Sequence, residues 1–311
     1  MMSCVFGPVP SRRLGLSLGV DLIPLKTCTF DCLYCQVGRT TNKTMEVKPF
    51  VPVKGVFAEI EKKLVKCAPD AITLAGSGEP TLHSELDRII GLIKEMTETR
   101  VALLTNGSLF WREEVRRSAL GADVILPTLS SAFEDTFRRI HRPHPELDLR
   151  MIIDGLKMLR QDYKGQLLLE IVLLAGINDT EREVEGLKTL LDQISPEKIQ
   201  LNTVVRPPSD HGAISLDKKR LEEIMVFFGK RAEIIAEGPV LEGRVKGDSL
   251  ASGLLEMIKR KPLRTVDISN GLSLPVEEVE DLVKGLLIKG HIRKQEHLGN
   301  IYYLSDEKNI H

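Results

Sequence analysis

The chain has 311 residues, 42% apolar and 28% charged, with a formal net charge of −1. That length holds one domain of about 200–250 residues plus a small second one. A balance so close to zero makes no global electrostatic case for nucleic acid or for an anionic membrane. Five cysteines, three of them clustered, fit a reducing compartment better than a disulfide framework. Residues 1–4 lack a charged leader region, and Pro8 and Pro10 break any apolar run behind them. The most apolar stretch, 167–177, is interrupted by Glu170 and is too short to cross a bilayer. The expectation is a cytoplasmic protein with no membrane partner.

In chain order, a basic segment, Ser11-Arg12-Arg13, comes first and could cover a site formed further on. An apolar run over 18–25 then predicts a strand closed by Pro24. Directly after it stands Cys28-Thr29-Phe30-Asp31-Cys32-Leu33-Tyr34-Cys35. Three thiolates at this spacing can hold three irons of a four-iron cluster and leave the fourth iron open to a ligand; four thiolates would saturate it. A structural zinc site or coincidence are the alternatives. Zinc usually asks for a fourth Cys or His in a paired pattern. The nearest histidine downstream is His83, and no second cysteine pair exists. Cys4 and Cys67 stand alone and read as packing residues.

Beyond the cysteines, short apolar runs alternate with amphipathic ones. Strands are predicted over 71–75, 101–105, 124–126, 167–174 and 198–203. Helices are predicted over 53–66, 84–97, 111–120, 151–163, 181–194 and 217–228. The strands are almost continuously apolar, as in parallel sheets covered on both faces. Six strand–helix units suit a partial (β/α)6 barrel, an α/β fold whose site sits at the carboxyl ends of the strands. Those ends carry Gly76-Ser77-Gly78-Glu79-Pro80-Thr81, Asn106-Gly107, Thr128-Leu129-Ser130-Ser131, Gly176-Ile177-Asn178-Asp179, and Asn202 followed by Arg206-Pro207-Pro208. Glycine permits close backbone approach to a ligand. A carboxylate such as Glu79 can accept charge-assisted hydrogen bonds from an ammonium group. Gly, Asn and Ser also make ordinary turns, so each signal is weak alone. A basic, histidine-containing stretch, 138–145, follows the fourth strand. It reads either as a cap that binds an anionic substrate or as a solvated loop.

The cysteine spacing, with the aromatic Tyr34 just before the third cysteine, resembles the radical S-adenosylmethionine (SAM) superfamily. The stretch Gly7-Pro8-Val9-Pro10-Ser11-Arg12-Arg13-Leu14-Gly15 narrows this to iron–sulfur oxidoreductases similar to the wyosine-base synthase type. The resemblance covers residues 5–236. It implies the partial barrel, a [4Fe–4S] cluster on Cys28, Cys32 and Cys35, and SAM on the open iron with Tyr34 beside it. It implies that Gly78 and Glu79 hold the SAM amino group, with Ser77 where many members have glycine. Asn106 and Ser130 match positions near the ribose or methionine part, and Gly176 and Ile177 match the turn near adenine. A one-electron donor of flavodoxin or ferredoxin type is implied as partner.

The composition shifts at Glu237-Gly238-Pro239, and 237–247 reads as a linker between a domain over 1–236 and one over 248–311. In the tail, an amphipathic run over 250–259 and a short segment over 265–268 precede a third helix that starts at Pro275. Its stripe is Val276, Val279, Leu282, Val283 and Leu286. Leu298-Gly299-Asn300 then marks a hairpin. Three helices and a hairpin resemble a winged helix. The reading end of that third helix carries Glu277, Glu278, Glu280 and Asp281, which repel phosphates. A protein or peptide contact, or a domain cap, therefore ranks above nucleic acid as the role of the tail. Every cluster and SAM candidate lies upstream, so the tail is expected to be dispensable for SAM cleavage.

The function expected is reductive cleavage of SAM at a single cluster, giving a 5′-deoxyadenosyl radical that abstracts hydrogen from a substrate. The alternatives are an activase that installs a radical on a partner protein, a tRNA-modifying radical enzyme, and a redox-sensing DNA-binding regulator. Wyosine-type chemistry calls for further cysteines that Cys4 and Cys67 do not supply. Anaerobically reconstituted protein should hold about four irons per chain, and the Cys28→Ala/Cys32→Ala/Cys35→Ala variant almost none. Cys4→Ser and Cys67→Ser should leave iron content unchanged; iron lost from either would reassign the ligands.

Overall fold

The computed structural model describes residues 3–235, 250–272 and 274–306. The expected linker, 237–247, lies outside the described residues. The chain opens with β1 (Val5–Ser11) and β2 (Gly15–Val20), an antiparallel hairpin. A two-residue parallel pair, β3 (Thr27–Cys28) and β4 (Asn42–Lys43), brackets the cysteine loop. There follow α1 (Val53–Leu64), β5 (Ala71–Leu74), α2 (Leu86–Met96), β6 (Arg100–Thr105), α3 (Glu113–Ala119) and β7 (Val124–Pro127). Next come α4 (Glu134–His141), α5 (Leu149–Asp162), β8 (Gln166–Leu173), α6 (Glu181–Ile194), β9 (Lys198–Thr203), α7 (Lys218–Phe228) and β10 (Ala232–Ile234).

Eight strands form one sheet in the order β1-β2-β5-β6-β7-β8-β9-β10, parallel throughout except for β1. The six expected strands are its middle. The two edges were not expected. Gly7, Pro8 and Pro10 disguise β1, since proline is confined to edges and bulges. The three residues of β10 are too few to show a period. The first strand also ends at Val20, short of Pro24, because Asp21 turns in to bond Ser77. Helix α4 takes up the first part of 138–145, the stretch read either as a cap or as a solvated loop. Its acidic first turn and basic last turn suit the helix dipole, and Arg142, in the left-handed region, caps it.

Alternation along the strands separates two faces. Leu18, Ile72, Leu103, Ile125, Leu169 and Ile171 are fully buried in the main core, beneath the apolar stripes of the helices. The other face lines the barrel interior. Low in it, Leu14 of the hairpin turn packs with Ala71, Ala102, Val124, Leu126 and Leu168. Above this plug the inward residues turn polar, with Ser17, Thr73, Thr128, Glu170 and Asn202.

The tail contains α8 (Leu250–Arg260), α9 (Thr265–Leu272), α10 (Val276–Ile288), β11 (Ile292–His297) and β12 (Asn300–Ser305). β11 and β12 pair antiparallel through Leu298 and Gly299, both at positive φ, as a two-residue hairpin loop requires. On the third helix Val279, Val283 and Leu286 are buried, while Val276 is left exposed in the first turn. The second hydrophobic cluster of the chain is built from this tail together with Phe6 and Val9 of β1. Gly19 makes room for the Phe6 ring, which a Cβ there would meet at 2.1 Å. Among the described residues, no helix is long and apolar enough to cross a membrane.

Tail and barrel share a buried ion pair. Arg260 Nε donates to Asp21 Oδ2 at 3.0 Å, with both side chains 6% exposed. The guanidinium also lies over Phe6, 4.8 Å from the ring centroid. Asp21 in turn accepts from Ser77 N (3.0 Å) and Ser77 Oγ (2.5 Å). Removing one partner of a buried pair leaves an uncompensated charge, at a cost of about 3–5 kcal/mol. Arg260→Met should lose about that much in urea unfolding. Arg260→Met/Asp21→Asn, which removes both charges, should recover part of it; a double variant no better than the single one would assign the loss to packing alone.

Candidate active site

The cysteine loop runs across the carboxyl end of the sheet and is fastened from several sides. Asp31 accepts from Thr40 N at 2.9 Å and pairs with Arg39 at 3.0 Å. The end of α4 supports the loop backbone: Leu33 N donates to Ile140 O and Asp31 N to His141 O, both at 2.9 Å. His144 N donates to Thr29 O at 2.8 Å. This is the contribution of the basic stretch 138–145. Its arginines face elsewhere: Arg138 pairs with Glu134 and Arg142 with Asp210, and neither lines the cavity described next.

Cys28, Cys32 and Cys35 all face one cavity of about 390 Å³ at the strand ends. Burial raises all three thiols, Cys28 to about 12. Backbone N–H groups of Thr29 and Phe30 pull Cys28 back down, and those of Val37 and Gly38 do the same for Cys35. Asn106 Nδ2 reaches Cys28 Sγ at 3.5 Å. Half-buried thiols, with N–H donors at Cys28 and Cys35, suit anionic sulfur bound to iron, which deprotonates a coordinating thiol outright. Among the described residues, no group of three Cys, His, Asp or Glu side chains is placed to hold a single metal ion. A cluster asks instead for one thiolate per iron, and three thiols on one wall fit that demand.

The same cavity is lined by Gly78 and Glu79. Gly78 is pressed against the cysteine loop: a Cβ there would lie 1.8 Å from Thr27 O. Glu79 is buried and takes four neutral donors. Oε1 accepts from Thr81 N (3.0 Å), Thr81 Oγ1 (2.6 Å) and Thr105 Oγ1 (2.5 Å), and Oε2 accepts from Asn106 N (2.7 Å). Burial nonetheless raises its pKa against all of them. With one donor on Oε2, the carboxylate keeps room for a cationic ligand. Ser77 points away to Asp21, so its side chain does not enter the cavity.

Asn106 joins the loop of Glu79 to the cysteine loop. Besides its backbone bond to Glu79, its Nδ2 donates to Thr29 Oγ1 at 2.7 Å. Tyr34 also lines the cavity, and its ring meets His141 edge-on at 5.8 Å. His141 itself was not singled out as a ligand neighbour by sequence. It is buried with Nδ1 3.2 Å from Cys32 Sγ, and burial holds it down to about 3, which keeps the ring neutral.

Three expected ligand contacts are not in the cavity wall. Ser130 is wholly buried, and its Oγ accepts from Val172 N at 2.9 Å. Gly176, at φ +71°, makes a tight turn closed by Asp179, and Ile177 packs in an apolar cluster behind the loop. Ser130, past the end of β7, and the turn past the end of β8 are committed to bonding the chain to itself. Arg13, Thr128 and Asn202, from the expected basic segment and strand ends, do line the cavity, and so does Glu170, to which sequence reasoning gave no role in the site. Arg13 pairs with Glu170, which also accepts from Asn202 Nδ2 at 2.9 Å and Thr128 Oγ1 at 3.3 Å. A charge in the middle of an apolar strand was the available signal. From the tail, Arg260 and Lys261 line the same cavity, while the expected cluster and SAM residues all lie upstream of the tail.

Residues 22–185 match the family model described as the radical SAM superfamily. The chain is 33% identical to a UPF0026 protein of Methanocaldococcus jannaschii, over 99% of this chain and 97% of that protein. It is 34% identical to a GTPase Obg of Brachyspira hyodysenteriae over 94% of this chain, and spans 43% of the length of that relative. Among solved structures, a radical SAM methyltransferase from Sphaerobacter thermophilus aligns with a TM-score of 0.54 at 17% identity, over 70% of this chain and 65% of that one. Streptococcus suis SuiB bound to S-adenosylmethionine aligns with a TM-score of 0.52 at 11% identity, over 71% and 50%.

Crowding around Gly78 is directly testable. Gly78→Ala should drive the Thr27 carbonyl and the neighbouring Cys28 apart from the motif loop, at the cost of overpacking, about 1–3 kcal/mol. Iron bound per chain should fall while far-UV circular dichroism is retained; full iron content would show that the loop yields freely.

Proposed function

The chain belongs to the radical SAM superfamily, and on that premise we propose that Cys28, Cys32 and Cys35 hold its [4Fe–4S] cluster and that Glu79 receives the amino group of SAM. One observation carries this reading: three half-buried thiols and a buried carboxylate whose donors are all neutral line one cavity. The chemistry supplied there is one-electron reduction of the SAM sulfonium, giving methionine and a 5′-deoxyadenosyl radical that abstracts hydrogen from the substrate.

The residues of this chain do the holding. Gly78 lets the motif loop lie against the cysteine loop. Asn106 fixes Glu79 on one side and donates toward Cys28 on the other. Tyr34 and neutral His141 fill the space behind Cys32 and exclude water. Ser130, Gly176 and Ile177 are left out of the ligand set, for their bonds are spent within the fold. A one-electron donor is needed by enzymes of this superfamily; a flavodoxin- or ferredoxin-like protein is the class proposed. The residues of 248–311 are proposed as a small winged-helix-like domain that caps the barrel. This is supported by the separate hydrophobic cluster, by the buried Arg260–Asp21 pair, and by the exposed Glu277, Glu278, Glu280 and Asp281 that disfavour DNA.

Anaerobic incubation of reconstituted protein with SAM and dithionite should release 5′-deoxyadenosine; fully loaded protein that releases none would overturn the reading. Glu79→Gln keeps the shape and removes the charge. Loss of a charge-assisted acceptor costs about 1.5–3 kcal/mol, so SAM affinity should fall by about one to two orders of magnitude with iron content intact. Unchanged affinity would remove Glu79 from the site.

A further inference from the structure

A second cavity of about 640 Å³ lies between the barrel and the tail. Arg12 and Arg206 line both this cavity and the cysteine cavity, so they stand at the junction of the two. Lys261, just past the end of α8, lines the first. The three cations come from three separate parts of the chain: the β1–β2 turn, the segment after β9, and the tail.

The tail fixes this junction. His297 Nε2 donates to Val204 O and Tyr302 Oη to Val205 O, each at 2.8 Å, which pins the backbone immediately before Arg206. Arg206 Nη1 reaches an amide oxygen, Gln36 Oε1, at 3.4 Å, and one of the contacts of Arg12 is likewise to an amide oxygen, Asn202 Oδ1, at 3.4 Å. Among the described residues, neither Arg206 nor Lys261 ion-pairs with a carboxylate. The carboxylates in the first cavity are otherwise engaged, Glu170 with Arg13 and Glu79 with its four donors. In the second, Asp267 is paired with Arg264, and its charge offsets part of that of Arg206 and Lys261. Arg13 Nε is buried with no hydrogen-bond partner among the described residues. Like charges gathered out of water repel and lose hydration, a cost that an anion between them removes. Burial lowers Lys261 to about 7, with Arg206 and Arg12 pushing the same way against Asp267, and burial lowers Arg206 as well.

We propose that Arg206, Lys261 and Arg12 form the substrate's anion site, and that the substrate is a phosphorylated small molecule. This rests on the radical SAM reading. A volume of 390 Å³ is that of a single small-molecule site. With SAM in it, the substrate is left the second cavity and the junction. There its phosphate is gripped by guanidinium groups, which match phosphate oxygens in geometry. The rest of the molecule is directed toward the cysteine wall.

The test uses the full chain, reconstituted and SAM-loaded, titrated calorimetrically at low salt with inorganic phosphate, pyrophosphate, acetate and a short single-stranded RNA. Phosphate and pyrophosphate should bind and acetate at least tenfold more weakly. Arg206→Gln and Lys261→Gln should each weaken pyrophosphate at least tenfold, and Lys261→Arg, which keeps the charge, should retain it. Four results would overturn the proposal: unchanged pyrophosphate affinity in both Gln variants, equal binding of acetate, competition between pyrophosphate and SAM, or tighter binding of the RNA than of pyrophosphate. Competition would assign the cations to the SAM carboxylate, and RNA preference would assign them to a polynucleotide. Deoxyadenosine release by the wild-type protein, measured on the same samples, separates the two readings. Release without phosphate binding sinks the anion site alone; phosphate binding without release sinks the radical reading alone.

Discussion

Asp21 is the residue on which the parts of this site converge. It stands one position past the end of β2, where the chain leaves the sheet to become the cysteine loop. Its carboxylate holds both the backbone and the hydroxyl of Ser77, and so sets the loop that carries Gly78 and Glu79. The same carboxylate receives Arg260 from the tail. A close approach on the other side completes the arrangement, since a Cβ on Gly76 would lie 2.3 Å from Asp21 Cγ. A buried carboxylate needs its charge met and its lone pairs filled. Meeting that need draws the cysteine loop, the motif loop and the tail into one place.

The barrel interior follows a second electrostatic rule. A parallel sheet covered by helices usually buries both faces in apolar side chains. Here the lower interior obeys, with the Leu14 plug among alanines and branched residues. The upper interior does not. Arg13 crosses from the hairpin turn to Glu170, and Asn202 and Thr128 complete the bonds to that carboxylate. An ion pair thus spans the barrel interior between the hairpin turn and β8. The same turn delivers Arg12 to the junction with the tail. The tail is consequently part of the wall of the site, and its hairpin holds the backbone that presents Arg206.

Much of this was legible in advance because it is local. The cysteine spacing needs only eight consecutive residues, and Glu79 lies within a six-residue strand end. The central strands and their helices announce themselves by period. What escaped was of another kind. β1 hides behind its prolines and is a strand only because β2 offers it an edge. α4 has a short apolar stripe, Phe137 and Ile140, and its helical state depends on packing against the cysteine loop. Ser130, at a strand end like Asn106, spends its hydroxyl on Val172, and no sequence pattern distinguishes the two fates.

The sequence by itself determined the chemistry: three thiols at cluster spacing, a carboxylate in a glycine-rich turn, and an α/β alternation that brings strand ends together. Each of these is encoded within a turn or a strand of chain, where spacing and local conformation decide what can meet. Only the tertiary structure decided which residues share a cavity. Arg12 and Arg206 are 194 residues apart and Lys261 a further 55, yet all three line the cysteine cavity. His141 lies 109 residues from Cys32 and rests against its sulfur. Burial is what makes these meetings consequential, for charge and polarity removed from water must be answered by a specific neighbour, and that neighbour is chosen by packing across the whole chain.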